Sequence, residues 1–218
     1  MILRRSYIAL AFASSLATGC ASTLPTTKEP LVEHPRDPRT PTCRPRARLV
    51  SPAARSVGLA VIIPVATGYA MVWSEKAGAK EALRFQTVDR LGIARSPSAE
   101  LVDREGHIEA LALRVDGEGY AVAWSEPVNG APHRMERLID ARGRARADVA
   151  ESTATVVPEA AHRCVASGTK QVCAGPNNRT LELPAQARVV AEQLDDGPAV
   201  IAVDAEGLQL FVLSCAAR

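Results

Sequence analysis

Two stretches of the chain, GYAMVWSE at residues 68–75 and GYAVAWSE at residues 119–126, are nearly identical, and the interpretation of the fold begins from them. They lie 51 residues apart, and the agreement continues at the same offset into VDRLGIAR and IDARGRAR, which end at Arg95 and Arg146. Both tryptophans, Trp73 and Trp124, occupy equivalent positions. An internal duplication of this period is typical of stacked or radial arrays of small structural units.

Each copy of the repeat has the pattern of a β-hairpin. An apolar, β-branched segment, a glycine-containing turn and a second apolar segment follow one another, which is a hairpin signature. The predicted strands are residues 59–63 and 69–73 in the first copy and residues 110–115 and 120–124 in the second. Tyrosine and tryptophan lie four residues apart on one strand face in each copy, and the alternate positions are mostly small. A core role for Tyr69, Trp73, Tyr120 and Trp124 is therefore favoured over a ligand groove.

A third strand is predicted after each hairpin, and an Asp-x-x-Gly turn follows it. Aspartate suits the first position of a type I turn, and glycine suits the last. The strands are residues 82–88 and 135–139, and the turn residues are Asp89 and Gly92 in the first copy and Asp140 and Gly143 in the second. A fourth strand is predicted near residues 99–102.

Two weaker hairpins follow, at residues 163–174 and 199–213. The glycines that mark the four hairpins are Gly68, Gly119, Gly168 and Gly207, which are spaced 51, 49 and 39 residues apart. Repeats of this kind resemble the blades of β-propellers, and the resemblance implies an all-β domain of antiparallel four-stranded sheets packed radially. Residues 49–218 give barely enough chain for four blades. An array closed by the N-terminal segment, one completed by a partner, and a β-sandwich remain alternatives.

The first nineteen residues have the features of a secretory leader. Arg4 and Arg5 precede a short apolar segment, which is too short to span a bilayer. The stretch LATGCAS resembles the lipobox of bacterial lipoproteins, although Ala17 stands where leucine is commoner. The resemblance implies that Cys20 is acylated and becomes the first residue of a protein anchored in the lipid bilayer. Ala21 is not the aspartate that retains enterobacterial lipoproteins in the inner membrane, so the analogy points to the outer membrane. A simple secretory peptide cut near Ala21 is the alternative.

A proline-rich tether is predicted from residue 20 to residue 48. Proline fixes φ and removes a hydrogen-bond donor, so an extended, partly polyproline II segment is expected. The predicted organisation is a leader over residues 1–19, a lipidated cysteine with its tether over residues 20–48, and a repeat domain over residues 49–218. The prolines are Pro25, Pro30, Pro35, Pro38, Pro41 and Pro45.

Composition excludes several classes of protein. The chain has 26 basic and 24 acidic residues, and two of the basic residues lie in the leader, so the remainder is balanced. This balance and an aromatic content of 4% argue against a nucleic-acid partner. The uncharged segment 58–73 could pass for a membrane helix, but Pro64 and the charged equivalent segment favour a buried hairpin.

Four cysteines remain besides Cys20, and an even number in an exported chain favours two disulfides. Cys164 and Cys173 are equidistant from the turn at Gly168, so they are predicted to pair across the third hairpin. That leaves Cys43 to pair with Cys215. Free thiols or a metal site at Cys164 are the alternative, although no CxxC or HxxxH spacing occurs.

The sequence contains no recognisable catalytic or cofactor motif. The histidines lie in the tether and in predicted turns, where a solvated surface role is the default: His34, His107, His133 and His162. Acidic residues stand at positions that are typical of turns. The Asp-x-Asp-x-Asp-Gly spacing of a calcium-binding loop does not occur in the sequence. No catalytic residue, metal site or cofactor is predicted. One basic cluster stands out in the folded part. A solvated, charge-guarded edge is its default interpretation, and contact with an anionic polymer or lipid headgroups is the alternative: Arg134, Arg137, Arg142, Arg144 and Arg146.

These observations predict an envelope-anchored, non-catalytic binding or scaffold module. Repeat folds offer surfaces rather than one fixed reaction, so this step is an analogy. A periplasmic substrate-binding protein or enzyme that uses the mouth of the array is the alternative. An envelope protein is the expected partner besides the lipid bilayer.

Overall fold

The computed structural model describes residues 43–51, 56–153, 164–174, 180–194 and 198–215. Within these ranges every regular element is a β-strand, and fifteen strands form four antiparallel sheets. The described residues contain no helix long and apolar enough to cross a membrane. The predicted all-β domain of repeated antiparallel units is confirmed.

The two copies of the repeat each form one sheet, in which the strands lie side by side in chain order. Sheet 1 contains β2 (Ser56–Val65), β3 (Gly68–Ala77), β4 (Lys80–Asp89) and β5 (Ala99–Glu105). Sheet 2 contains β6 (Ala110–Asp116), β7 (Gly119–Val128), β8 (Ala131–Ile139) and β9 (Ala150–Glu151). The segment from residue 58 to residue 73 is thus a hairpin and not a helix.

The C-terminal part of the chain forms two further sheets. Sheet 3 contains β10 (Cys164–Ser167), β11 (Lys170–Ala174) and β12 (Thr180–Pro184). Sheet 4 contains β13 (Arg188–Gln193), β14 (Ala199–Asp204), β15 (Gly207–Cys215) and, as an edge strand beside β15, β1 (Cys43–Ser51). The beginning and the end of the described chain therefore meet in sheet 4.

Strand β1 changes the predicted boundary of the tether. Residues 43–48, which the sequence pattern places in the tether, form most of this strand and therefore belong to the sheet domain. Pro45 is accommodated because β1 lies at the edge of its sheet, where a missing donor is tolerated. The N-terminal segment thus supplies the edge strand of sheet 4.

The hairpin marked by Gly207 differs in position from those marked by Gly68 and Gly119. The first strands of sheets 1 and 2, β2 and β6, contact each other, and in sheet 4 it is β13 that contacts β2 most extensively. Strands β14 and β15 are therefore the second and third strands of their sheet. The prediction that they repeat the first hairpin is wrong, because the true first strand, RVVAEQ, ends in polar residues and lacks the marker pattern.

The sheets pack face to face in a row. Three apolar clusters join sheet 4 to sheet 1, sheet 1 to sheet 2, and sheet 3 to sheet 4, which gives the order 3–4–1–2. Among the described residues no such cluster joins sheets 2 and 3, so the four sheets do not close into a ring. The repeated units are those that a propeller uses, but their open, face-to-face packing fits the β-sandwich alternative.

Each Asp-x-x-Gly turn reaches over the preceding sheet of the row. A Cβ atom on Gly143, where φ is 80°, would lie 2.5 Å from the Cβ of Ala99 and 2.9 Å from Phe85 Cδ1 of sheet 1. Gly92, with φ of 76°, occupies the same place over sheet 4, where a Cβ would lie 3.1 Å from Arg48 Cγ. Glycine is required here both by the backbone conformation and by the close contact.

Candidate functional site

The repeated tyrosines and tryptophans are core residues, as their spacing predicts. Trp73 and Trp124 are fully buried, and Tyr69 and Tyr120 are nearly so. Burial raises the pKa of both tyrosines. Each Tyr–Trp pair lies on the face of its sheet that packs against the preceding sheet of the row. These side chains therefore join sheets and do not line an open groove.

The glycines that start β3 and β7 are required by the approach of the neighbouring strand. A Cβ atom on Gly68 would lie 2.1 Å from the carbonyl oxygen of Val88, and one on Gly119 would lie 2.1 Å from that of Ile139. No side chain fits at such a distance. The glycine at the start of the repeat is thus explained by packing, to which the positive φ of Gly68 adds a second reason.

The Trp-Ser-Glu end of the repeat forms a buried polar contact that the sequence analysis missed. Trp73 Nε1 donates to Glu75 Oε1 at 2.9 Å, and Trp124 Nε1 donates to Glu126 Oε2 at 3.3 Å. Both carboxylates are buried and also pair with an arginine, Glu75 with Arg84 and Glu126 with Arg104. The signal was present, because the glutamate is duplicated together with the tryptophan two positions before it.

A small cleft of about 120 Å³ opens beside Glu75 on sheet 1. Arg84 bridges Glu75 at 2.8 Å and Glu100 at 3.0 Å, and Lys80 lies 3.6 Å from Asp103. Three carboxylates and two cations share the cleft, and each cation already bonds a carboxylate. The cleft therefore holds a network of ion pairs with one carboxylate charge in excess.

Glu81 is the centre of a second buried polar group, which fastens the connection between sheets 1 and 2. Its Oε2 accepts the backbone N–H of Ile108 at 2.9 Å and lies 3.1 Å from His107 Nδ1. Burial would raise the pKa of Glu81, but the bonds from Ile108, Ser74 and His107 and the charge of Lys76 lower it below its ordinary value. The carboxylate is therefore charged at neutral pH and holds the segment that leads from β5 to β6.

Ser74, Glu81 and His107 have the residue types of a nucleophilic triad but not its arrangement. Ser74 is fully buried, and its Oγ accepts the backbone N–H of Leu59 at 3.0 Å. The polar contact of His107 is with the Glu81 carboxylate, not with Ser74. A catalytic serine must meet its substrate, so this group is structural.

Other ionisable residues take the turn and surface roles predicted for them. Asp89 Oδ1 accepts the amides of Leu91 and Ile93, and Asp140 Oδ1 accepts those of Arg142 and Arg144, all within 2.9 Å. The amide of Arg144 is the main cause that lowers the pKa of Asp140.

The two histidines within the described ranges are more exposed than the core residues. The side chain of His107 is 54% exposed and that of His133 is 45% exposed, whereas His34 and His162 lie outside the described residues. In the ranges that the structure describes, no group of three or more His, Cys, Asp or Glu residues is placed to hold a metal ion.

One predicted disulfide is confirmed. Cys164 and Cys173 are bonded, with their Cα atoms 4.0 Å apart, across the hairpin of β10 and β11. The register of β1 and β15 places Cys43 opposite Cys215. Their pairing stays a prediction, and the acylation site Cys20 lies outside the described residues.

The basic cluster predicted from sequence is divided by the fold. Arg137 turns inward, where its Nη1 donates to the carbonyl of Leu101, and Arg134 lies on the opposite face of β8. Arg146 pairs with Asp116 at 3.6 Å. Arg142 and Arg144 remain exposed at the turn of sheet 2.

Comparison of the chain with protein-family models, with curated proteins and with solved structures finds no significant match.

Proposed function

We propose that this protein is an exported lipoprotein, anchored in the cell envelope through acylated Cys20, that acts as a non-catalytic binding or scaffold module. The contacts of the duplicated polar residues support the role as a non-catalytic binding or scaffold module. Glu75, Glu126, Asp89 and Asp140 each bond groups within the fold, and the duplication has therefore multiplied a building unit. A repeated unit whose polar residues serve the fold offers its surfaces for contacts.

The anchor is supported by the order of elements at the N-terminus. Two arginines, a short apolar segment and a Gly-Cys pair come in the sequence that precedes lipoprotein processing. Two or three acyl chains bind a bilayer almost permanently, since each buried CH₂ contributes about 0.8 kcal/mol. The outer membrane is the proposed location, because Ala21 follows the cysteine.

The alternative of a ligand site in the mouth of the array requires sheets arranged around an opening. The sheets in the described ranges form an open row. No observation in these ranges favours that alternative over a contact module.

Replacement of Cys20 by serine tests the anchor. We expect the parent protein to fractionate with membranes and to carry an acylated N-terminal cysteine by mass spectrometry, whereas Cys20→Ser is released and unmodified. Ser22→Ala, two residues further on, is the matched control and should behave as the parent. An N-terminal peptide that begins at Ala21, with membrane association unchanged in Cys20→Ser, would overturn the proposal in favour of a simple secretory leader.

A further inference from the structure

Two turns and one strand bring six arginines to the same end of the row of sheets. The turns of sheets 1 and 2 are neighbours, because Arg95 N donates to Thr87 O at 3.0 Å and Thr87 Oγ1 donates to Ala141 O at 3.5 Å. Arg48 of β1 lies beside Gly92 of the first turn. We call this surface the basic end, and its arginines are Arg46, Arg48, Arg90, Arg95, Arg142 and Arg144.

The arginines of the basic end are available for an external partner. All six are exposed, and none forms an ion pair with another described residue. Arg90 Nη2 donates to the carbonyl of Ala66 at 3.4 Å, and the charges of Arg142 and Arg144 help to lower the pKa of Asp140. The nearest acidic side chains are already engaged: Asp89 and Asp140 each accept two backbone amides, and Asp116 pairs with Arg146. Glu118 and Asp148 are the exposed acidic residues that remain there. The surface therefore carries a positive excess.

Apolar side chains lie among these charges. Leu91 is 40% exposed and Ile93 is 48% exposed, on the turn that also bears Arg90 and Arg95. Exposed aliphatic side chains flanked by arginines suit the boundary between phospholipid headgroups and acyl chains. A purely solvated turn gains nothing from two large apolar residues.

Strand β1, the first described element after the predicted anchor, begins at the basic end. Ser51, the last residue of β1, bonds Glu75, which lies at the end of sheet 1 remote from Gly68 and Asp89. The first residue of β1, Cys43, is therefore at the end that carries the turns. Twenty-two residues separate Cys20 from Cys43, which gives a reach of roughly 70 Å in a polyproline II conformation. A tether of that reach allows the basic end to approach the bilayer.

We propose that the basic end docks on the anionic phospholipid surface in which acylated Cys20 is anchored. The inference rests on the proposed lipid anchor and adds a second contact that orients the row of sheets against the bilayer. Each arginine near an anionic surface strengthens binding roughly five-fold. Leu91 and Ile93 insert among the headgroups, and sheets 2 and 3 keep their outer faces turned to other partners.

Vesicle binding tests the proposal without the acyl chains. Residues 20–218 carrying Cys20→Ser, from which the apolar leader is absent, are sedimented with phosphatidylglycerol–phosphatidylcholine vesicles and with phosphatidylcholine vesicles. We expect binding to the anionic vesicles that weakens as salt is raised. Arg142→Gln/Arg144→Gln should bind roughly 30-fold more weakly. Lys80→Gln/Arg134→Gln removes the same charge elsewhere and should bind as the parent.

Equal binding to both kinds of vesicle, no binding to either, or an equal loss in the Lys80/Arg134 control would each overturn the proposal. Arg90→Gln/Arg95→Gln gives an independent check should the first double variant unfold. The result is separate from that for the anchor, because the vesicle experiment uses an unacylated chain and the acylation of Cys20 does not depend on these arginines.

Discussion

Sheets 1 and 2 derive from the same repeat, yet only one of their two faces is alike. The faces that carry the Tyr–Trp pairs pack in the same way, each against the preceding sheet. The second faces have diverged. Large apolar residues of sheet 1 correspond, 51 positions later, to small or charged residues of sheet 2: Val61 to Ala112, Val72 to Ala123, Leu83 to Arg134 and Phe85 to Glu136.

The burial of the third strands follows this difference. Strand β4 is almost wholly buried, whereas most of β8 is partly or fully exposed. Phe85 is fully buried against Tyr120 of sheet 2, with ring centroids 5.1 Å apart, and Glu136 bonds Arg114 at 3.1 Å instead. The duplicated unit has kept the face that meets its predecessor, and its other face depends on whether another sheet packs there. This is why the described row ends at sheet 2.

Exchanging Phe85 and Glu136, one variant at a time, should give the largest difference in stability between sheets 1 and 2. Phe85→Glu buries a charge without a partner and should lower the free energy of unfolding by more than about 4 kcal/mol. Glu136→Phe removes only a half-exposed ion pair and should change it by less than about 1 kcal/mol. Urea denaturation of both variants measures the two effects. Similar losses in both would mean that the outer face of sheet 2 is as closely packed as that of sheet 1.

Alanine at the two turn glycines, Gly143 and Gly92, should lower the free energy of unfolding by different amounts. This difference should be smaller than that between Phe85→Glu and Glu136→Phe. Gly143→Ala places a methyl group against the Cβ of Ala99 and the ring of Phe85, and should cost about 2–3 kcal/mol. Gly92→Ala meets the flexible side chain of Arg48, so the cost should be about 1 kcal/mol, mainly from its positive φ. An equal cost for both would show that backbone conformation alone selects glycine in these turns.

The smallest effect concerns Glu75 and depends on pH. Burial would raise its pKa, but the bonds from Trp73, Arg84 and Ser51 lower it below the ordinary value of 4.5. A lowered pKa in the folded state gives stability that is complete above the unfolded pKa and is lost as the pH falls through the folded value. Glu75→Gln should therefore cost about 1.5 kcal/mol at pH 7 and less below pH 4.

Denaturation of Glu75→Gln and of the parent at both pH values checks this expectation, and Glu126→Gln is the matched variant in sheet 2. A difference between parent and Glu75→Gln that stays constant with pH would contradict the role assigned to the Glu75 carboxylate.

Local patterns in the sequence predicted most of the hairpins, because glycine turns and alternating apolar residues act over a few positions. The disulfide of Cys164 and Cys173 followed from the same logic. Two features lay beyond such patterns. The pairing of β1 with β15 joins strands that are far apart in sequence, and the proline and arginines of β1 resemble a tether. The first strand of sheet 4 carries too few apolar residues to mark a hairpin.

The polar part of the candidate site was hidden for a different reason. Glutamate in a strand is expected at the surface, so the duplicated Glu75 and Glu126 were not recognised as partners of the tryptophans. The basic end was only partly visible, since Arg142 and Arg144 were grouped with Arg137, which the fold turns inward. Alternation along one strand does not tell which face is covered by another sheet.

The placement of β1 beside β15 has a consequence for the order in which the domain forms. Sheets 1 and 2 consist of neighbouring strands and can pair early, since closing short loops costs little entropy. Sheet 4 gains its edge strand only when the last residues of the chain are present. Until β13, β14 and β15 are present, the Tyr–Trp face of sheet 1 has no covering sheet, and the growing chain carries this apolar surface uncovered. Pro45 and the arginines of β1 disfavour pairing of this strand with other sheet edges before β15 is present.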